Sequence, residues 1–143
     1  MVLAAWRDLH RRWSDLAAFE AGYFETYLSV NRRFAEALVP LLRPDDQIWV
    51  HDYHFIPLAK LLRAAGVECR IGFFLHIPFP PSEAFLAVPE HLRLARAFAA
   101  YDLVGLQTVT DVGHMIDYLE HGADGRLLPD GRIRVGDRIV SIA

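Results

Sequence analysis

The stretch Ile71–Pro81, IGFFLHIPFPP, decides how this chain folds. Its first five residues are apolar without alternation, the pattern of a strand buried on both faces of a parallel sheet. His76 then interrupts the run, and Pro78, Pro80 and Pro81 end any further ladder pairing because proline has no N–H to donate. A buried strand that ends on a histidine and turns on proline presents one polar side chain at its carboxyl end. In open α/β sheets that is the edge where ligands bind.

Neighbouring segments extend the same pattern. Gln47–His51 is a short apolar strand with Asp52–His54 at its carboxyl end, and Asp102–Gln107 is a third strand followed by Thr108. Helices are expected between them: Ile56–Ala65, stopped by Gly66; Pro89–Ala100; and Thr108–Glu120. Upstream, Val2–Asp15 reads as a helix. A longer helix runs from Ala18 to Leu42, with Tyr23, Tyr27, Val30, Phe34, Leu38 and Leu41 as one apolar stripe, bent or ended by Pro40 and closed by Pro44. Leu127–Leu128, Arg132–Val135 and Arg138–Ile142 are short strands separated by glycine and charge, as in a hairpin. Strand–helix alternation predicts an α/β fold, a Rossmann-like parallel sheet flanked by helices.

Bulk properties narrow the function. The 143 residues suit one compact domain, and 53% hydrophobic with 23% charged residues argues against disorder. A net charge of -3 disfavours a nucleic-acid partner. No apolar run reaches the roughly 20 residues of a membrane span. The lone Cys69 excludes an intrachain disulfide, suits a reducing cytoplasm, and reads as a core residue. The chain opens on helix-like sequence and stops in a strand, which suggests a segment of a longer protein.

Three strand mouths carry polar groups: His51, Asp52, Tyr53 and His54 on the first, His76 on the second, Gln107 and Thr108 on the third. In a parallel sheet these share one edge, so they converge despite their separation in sequence. His51, Asp52, His54 and His76 are also chemically suited to a metal, as in a metal-dependent hydrolase, although the short HxxH spacing on a strand end fits known sites poorly. The chain has neither GxGxxG nor a P-loop lysine motif. Gly72 and Gly105 fall within strands, where glycine permits close packing. Glu83 is a candidate helix cap, Arg7, Arg11 and Arg12 a solvated helix face, and Trp6 and Trp13 core or interface aromatics.

WVHDYH (Trp49–His54), RIGFFLHIPFPP (Arg70–Pro81), YDLVGLQT (Tyr101–Thr108) and YLSVN (Tyr27–Asn31) together resemble the trehalose-6-phosphate synthase family, from about Trp6 to Thr108. The resemblance implies a retaining GT-B glycosyltransferase, whose two Rossmann-like domains enclose the active site. Its members transfer glucose from UDP-glucose to glucose-6-phosphate, giving trehalose-6-phosphate and UDP without a metal or other cofactor. It makes residues 1–143 a single, partial acceptor-side domain, with the second domain absent. By motif, Asp52 holds hydroxyls of the acceptor glucose and His76 lies beside the transferred glucose. Tyr53 and Trp6 join the acceptor pocket, while His51, His54 and Gln107 support these residues from behind. The expected partners are a sugar phosphate and a nucleotide sugar, with no nucleic acid and no membrane.

Departures from the family pattern matter as much. The glycine-rich loop that meets the donor phosphates would precede Met1, and the Arg and Lys that neutralise the diphosphate belong to the second domain. Leu106 stands where the family usually has Phe, and Phe24 near a usual Trp. The isolated chain is therefore expected to be inactive, and its exposed sheet edge to favour a homo-oligomer. A regulatory, non-catalytic member of the family and a synthase with another phosphorylated acceptor (the glucosylglycerol-phosphate type) remain the other readings of the same motifs.

Overall fold

The computed structural model describes residues 21–143. Helix α1 (Ala21–Leu38) leads through a 3-10 turn at Val39–Leu41 into β1 (Gln47–His51). A second 3-10 turn, Tyr53–Phe55, precedes α2 (Leu58–Ala64) and β2 (Arg70–Phe74). Then come α3 (Ser82–Leu86), α4 (His91–Phe98), β3 (Leu103–Gly105) and α5 (Val109–Gly122). Strands β4 (Arg126–Leu127), β5 (Ile133–Val135) and β6 (Arg138–Ile142) close the chain.

The strands form one sheet in the order β1-β2-β3-β6-β5-β4. β1, β2, β3 and β6 run parallel, and β4 and β5 are added antiparallel. The expected α/β, Rossmann-like sheet flanked by helices is thus present, and the tail is the expected hairpin. Its two-residue loop starts at Gly136 with φ 62°, a left-handed conformation glycine adopts at no steric cost. Gly66, at φ 86°, ends α2 as anticipated.

Register explains the core. Val50, Phe73, Val104 and Ile142 stand in one row across the sheet. On that face Ile71, Phe73 and Val104 are fully buried beneath Leu62, Ala95, Phe98, Met115 and Leu119 of the helices. Cys69 is buried, as predicted for a core thiol. The next row, Trp49, Gly72, Leu103 and Ser141, faces the other way. Among the described residues that face is half open, with Trp49 56% exposed, whereas the apolar strands had suggested cover on both sides. Trp49 lies flat across Gly72, where a Cβ would run into its ring. At Gly105 a Cβ would approach Phe74 Cδ2 to 2.8 Å, so both strand glycines do serve close packing.

Two expectations change. The long helix stops at Leu38, because Pro40 turns its last residues into the 3-10 segment. Its apolar stripe is not what it buries: Tyr23, Val30, Phe34 and Leu41 are exposed, and the buried positions of α1 are Asn31 and Ala35. α1 turns this mixed face toward α2 and the turn before it, where polar groups need partners. Glu83 does not cap a helix. Pro81 is the N-cap of α3, and Glu83 sits in its first turn. Helix Val2–Asp15, with Trp6 and Trp13, lies outside the described residues.

Candidate active site at the carboxyl edge

β1, β2 and β3 end side by side, and their mouths are linked. His51 Nδ1 lies 3.0 Å from His76 Nε2, with ring centroids 5.2 Å apart. One nitrogen must carry the hydrogen and the other a lone pair, so this contact couples the tautomers of the two rings. Gln107 Nε2 donates to His76 O at 2.8 Å. A continuous chain of contacts, His51 to His76 to Gln107, therefore crosses all three strand ends. Both rings are solvent-exposed.

Asp52 continues β1 by one ladder bond, its N–H donating to Phe74 O at 2.8 Å. Its backbone then takes φ 69°, ψ 163°, and its Oδ1 accepts the Tyr53 N–H at 2.9 Å. Oδ2 makes no hydrogen bond among the described residues. A half-buried carboxylate with one oxygen tied and one free is suited to accepting hydroxyl groups, the stronger, charge-assisted kind of hydrogen bond.

The proline turn is pinned from the opposite side. Thr108 N-caps α5, its Oγ1 accepting the Asp111 N–H at 3.2 Å and donating to Asp111 Oδ2 at 2.8 Å. Buried Asp111 Oδ1 accepts the Phe79 N–H at 3.1 Å, and His114 Nδ1 approaches Phe79 O at 3.2 Å. Phe79 itself is buried against Phe85, Phe98 and Tyr118. The position of His76 is thus set by β2 before it and by α5 after it. Asp111 and His114 carried no signal in sequence beyond ordinary helix residues.

Tyr53 and His54 behave differently. Their rings stack on one another at 4.0 Å and border an apolar hollow of ≈ 470 Å³ walled by Tyr27, Leu75, Ile77 and Phe79. His54 therefore stands apart from the His51–His76 pair. Among the described residues no three His, Cys, Asp or Glu side chains are grouped to hold a metal ion. The hydrolase reading of His51, Asp52, His54 and His76 is not favoured, because His54 is stacked on Tyr53 and the four side chains do not gather into one group. Trp6 lies outside the described residues. The residues that sequence reasoning missed are Tyr27, Asn31 and Tyr101, which bind the turn Tyr53–Phe55 from behind. An asparagine inside an otherwise apolar helix face was the available signal.

The sequence matches glycosyltransferase family 20 over residues 4–143. The chain belongs to that family. Family 20 relatives include the trehalose-6-phosphate synthase of Klebsiella pneumoniae subsp. pneumoniae, 48% identical over 112 residues, covering 78% of this chain and 23% of the relative. That of Sinorhizobium fredii is 45% identical over 134 residues, covering 94% and 29%. Among solved structures, the α,α-trehalose-phosphate synthase (UDP-forming) from Burkholderia xenovorans in complex with glucose-6-phosphate superposes with a TM-score of 0.87. It is 49% identical, over 97% of this chain and 31% of that one. A structure from E. coli bound with UDP-2-fluoro glucose gives 0.86 at 40% identity, over 90% and 29%. The chain thus spans less than a third of the length of these family 20 relatives. No helix among the described residues is long and apolar enough to cross a membrane.

Proposed function

We propose that this chain is the acceptor-side part of a hexosyltransferase that moves glucose from UDP-glucose to glucose-6-phosphate, forming trehalose-6-phosphate and UDP in trehalose biosynthesis. The observation that carries the reading is the combination of two facts. Asp52 and His76 stand at adjacent parallel strand mouths, and 97% of the chain superposes on a UDP-forming synthase in complex with glucose-6-phosphate. Asp52 accepts acceptor hydroxyls through its free oxygen, with Tyr53 and Trp6 completing the acceptor pocket. His76 touches the transferred glucose, held in orientation by His51 and by the Gln107 bond to its carbonyl. His54 supports the turn that carries Asp52.

The reaction in this reading retains the anomeric configuration and uses no protein nucleophile and no metal. The departing diphosphate takes the acceptor proton, and the chain's contribution is to hold reactants in line. Charge building on the diphosphate requires fixed cations. No Arg or Lys stands at His51–His54, at His76 or at Gln107–Thr108. Those cations belong to a second Rossmann-like domain across a GT-B cleft, so residues 1–143 form a partial domain that does not turn over by itself. The reaction is assigned to the cytoplasm, consistent with the single buried thiol. Two copies pair through β1, which is an outer strand of the sheet among the described residues.

The test is a chimera in which this chain replaces the matching segment of the Sinorhizobium fredii relative. UDP release that depends on glucose-6-phosphate is expected from the chimera, and none from the 143-residue chain alone. A folded chimera without turnover would overturn the assignment. Turnover by the chain alone would overturn the claim that it holds half the site.

A further inference from the structure

Three consecutive backbone carbonyls in the turn after β1 are each held by a different side chain. The Tyr27 hydroxyl donates to Tyr53 O. Asn31 Nδ2 donates to His54 O at 3.0 Å, and the Tyr101 hydroxyl donates to Phe55 O at 2.7 Å. Tyr27 and Asn31 lie one helical turn apart on α1, so both reach the same segment. Asn31 Nδ2 also donates to Tyr27 O at 3.0 Å, which ties the two together. Asn31 and Tyr101 are 0% and 1% exposed. Burial pushes the Tyr27 and Tyr101 hydroxyls well above the usual tyrosine range, so both remain donors at neutral pH.

This clamp abuts the least favourable backbone geometry of the site. Asp52 at φ 69°, ψ 163° occupies a region that is essentially restricted to glycine. A residue with a Cβ stays there only when its surroundings over-determine it. Here the ladder bond to Phe74 O fixes the chain before Asp52, and the three clamped carbonyls fix it after.

We propose that Tyr27, Asn31 and Tyr101 are positioning residues for Asp52: they hold it in a glycine-type conformation that keeps its carboxylate at the strand mouth for the acceptor sugar. This rests on the reading of Asp52 as the acceptor carboxylate. It also gives the YLSVN segment a task at the site, although none of its side chains need touch a substrate.

Two measurements test it. The first is thermal melting of the 143-residue chain carrying Asp52→Gly or Asp52→Ala. Both lose the carboxylate, but only glycine relieves the strain. Asp52→Gly should melt about 4 °C above Asp52→Ala, the reverse of the usual order. In a Tyr27→Phe background that gap should shrink to under about 1 °C, because the loosened turn no longer imposes the conformation. Tyr101→Phe is the second background and should act likewise. No gap in the parent chain, or an undiminished gap in both backgrounds, would overturn the clamp.

The second measurement is steady-state kinetics of the chimera described above. Tyr27→Phe should raise KM for glucose-6-phosphate about tenfold and leave KM for UDP-glucose within about twofold. Equal changes in both, or a change in kcat alone, would overturn an acceptor-positioning role. An inactive parent chimera would refute the functional assignment, and the melting experiment would still decide whether the clamp holds Asp52.

Discussion

The two ends of the sheet are built on opposite principles. At the amino end, polar groups are densely paired. Arg63 reaches across to donate to Val67 O at 2.9 Å, Cys69 O at 2.7 Å and Asp102 Oδ2 at 2.9 Å. The same Asp102 oxygen accepts the Ile71 N–H at 2.7 Å, and the Asp102 N–H donates to Ile71 O at 2.9 Å. This ties α2, β2 and β3 together where their chains enter the sheet, and the Arg63 side chain is 10% exposed. At the carboxyl end the opposite holds. His51 and His76 are exposed, Asp52 is strained with one oxygen free, and Tyr53 and His54 stack beside an open hollow. The amino-end network ties the fold together, whereas backbone strain and a free carboxylate oxygen are found at the carboxyl end.

The largest expected effect breaks the comparison at the carboxyl end. Asp52→Asn in the chimera should cut turnover by about a hundredfold or more, since the proposed charge-assisted partner of the acceptor is replaced by a neutral one. The same change should alter the stability of the chain by less than about 0.5 kcal/mol, because the side chain is half-exposed and asparagine keeps an oxygen for the Tyr53 N–H. Steady-state UDP release and urea unfolding measure the pair. A variant that loses stability and activity together would erase the distinction between the two ends.

Next comes the amino end. Arg63→Ala leaves the Val67 and Cys69 carbonyls and the Asp102 carboxylate without their shared donor. It should cost about 2–3 kcal/mol in unfolding free energy. In the chimera, KM values should stay near those of the parent at a temperature where the variant is folded. A large change in KM there would show that the two ends are not separate in function.

The effect that vanishes at neutral pH, and is therefore the smallest there, concerns titration. Burial pushes the Tyr118 hydroxyl up to about 12 and raises Tyr27 and Tyr101 as well. These groups are neutral in both states below the ordinary tyrosine value near 10. Above it the unfolded chain loses protons that the folded chain retains, so stability is present below about pH 10 and falls as pH rises toward 12. The slope is about 1.4 kcal/mol per pH unit for each such tyrosine. Melting temperatures between pH 8 and 11 check this. A level profile to pH 11 would mean that the hydroxyls titrate normally.

The sheet was legible in the sequence because Ile71–Leu75, Ile48–Val50 and Leu103–Val104 are apolar runs too short for helices, and they alternate with helix-length segments. The convergence of His51, His76 and Gln107 was legible to the same extent, since parallel strands bring these residues to one edge wherever their helices lie. The clamp was not. Tyr27 and Asn31 fell within, or beside, a stripe that periodicity reads as apolar core, and only the packing of α1 on the Tyr53–Phe55 turn turns them inward. Asp52 was legible as a candidate by its place and charge, but nothing local announces φ 69° at a non-glycine residue. The stacking of His54 on Tyr53 was not legible either, because HxxH spacing says nothing about a 3-10 turn.

The most direct test asks which end of the sheet meets the acceptor. Glucose-6-phosphate titrated into the isotopically labelled 143-residue chain, followed by amide and imidazole resonances, should shift Asp52, Tyr53, His76 and Gln107. It should leave Arg63, Ile71 and Asp102 in place. Shifts centred on the Arg63–Asp102 end, or a carboxyl edge unmoved at saturating ligand, would contradict the account.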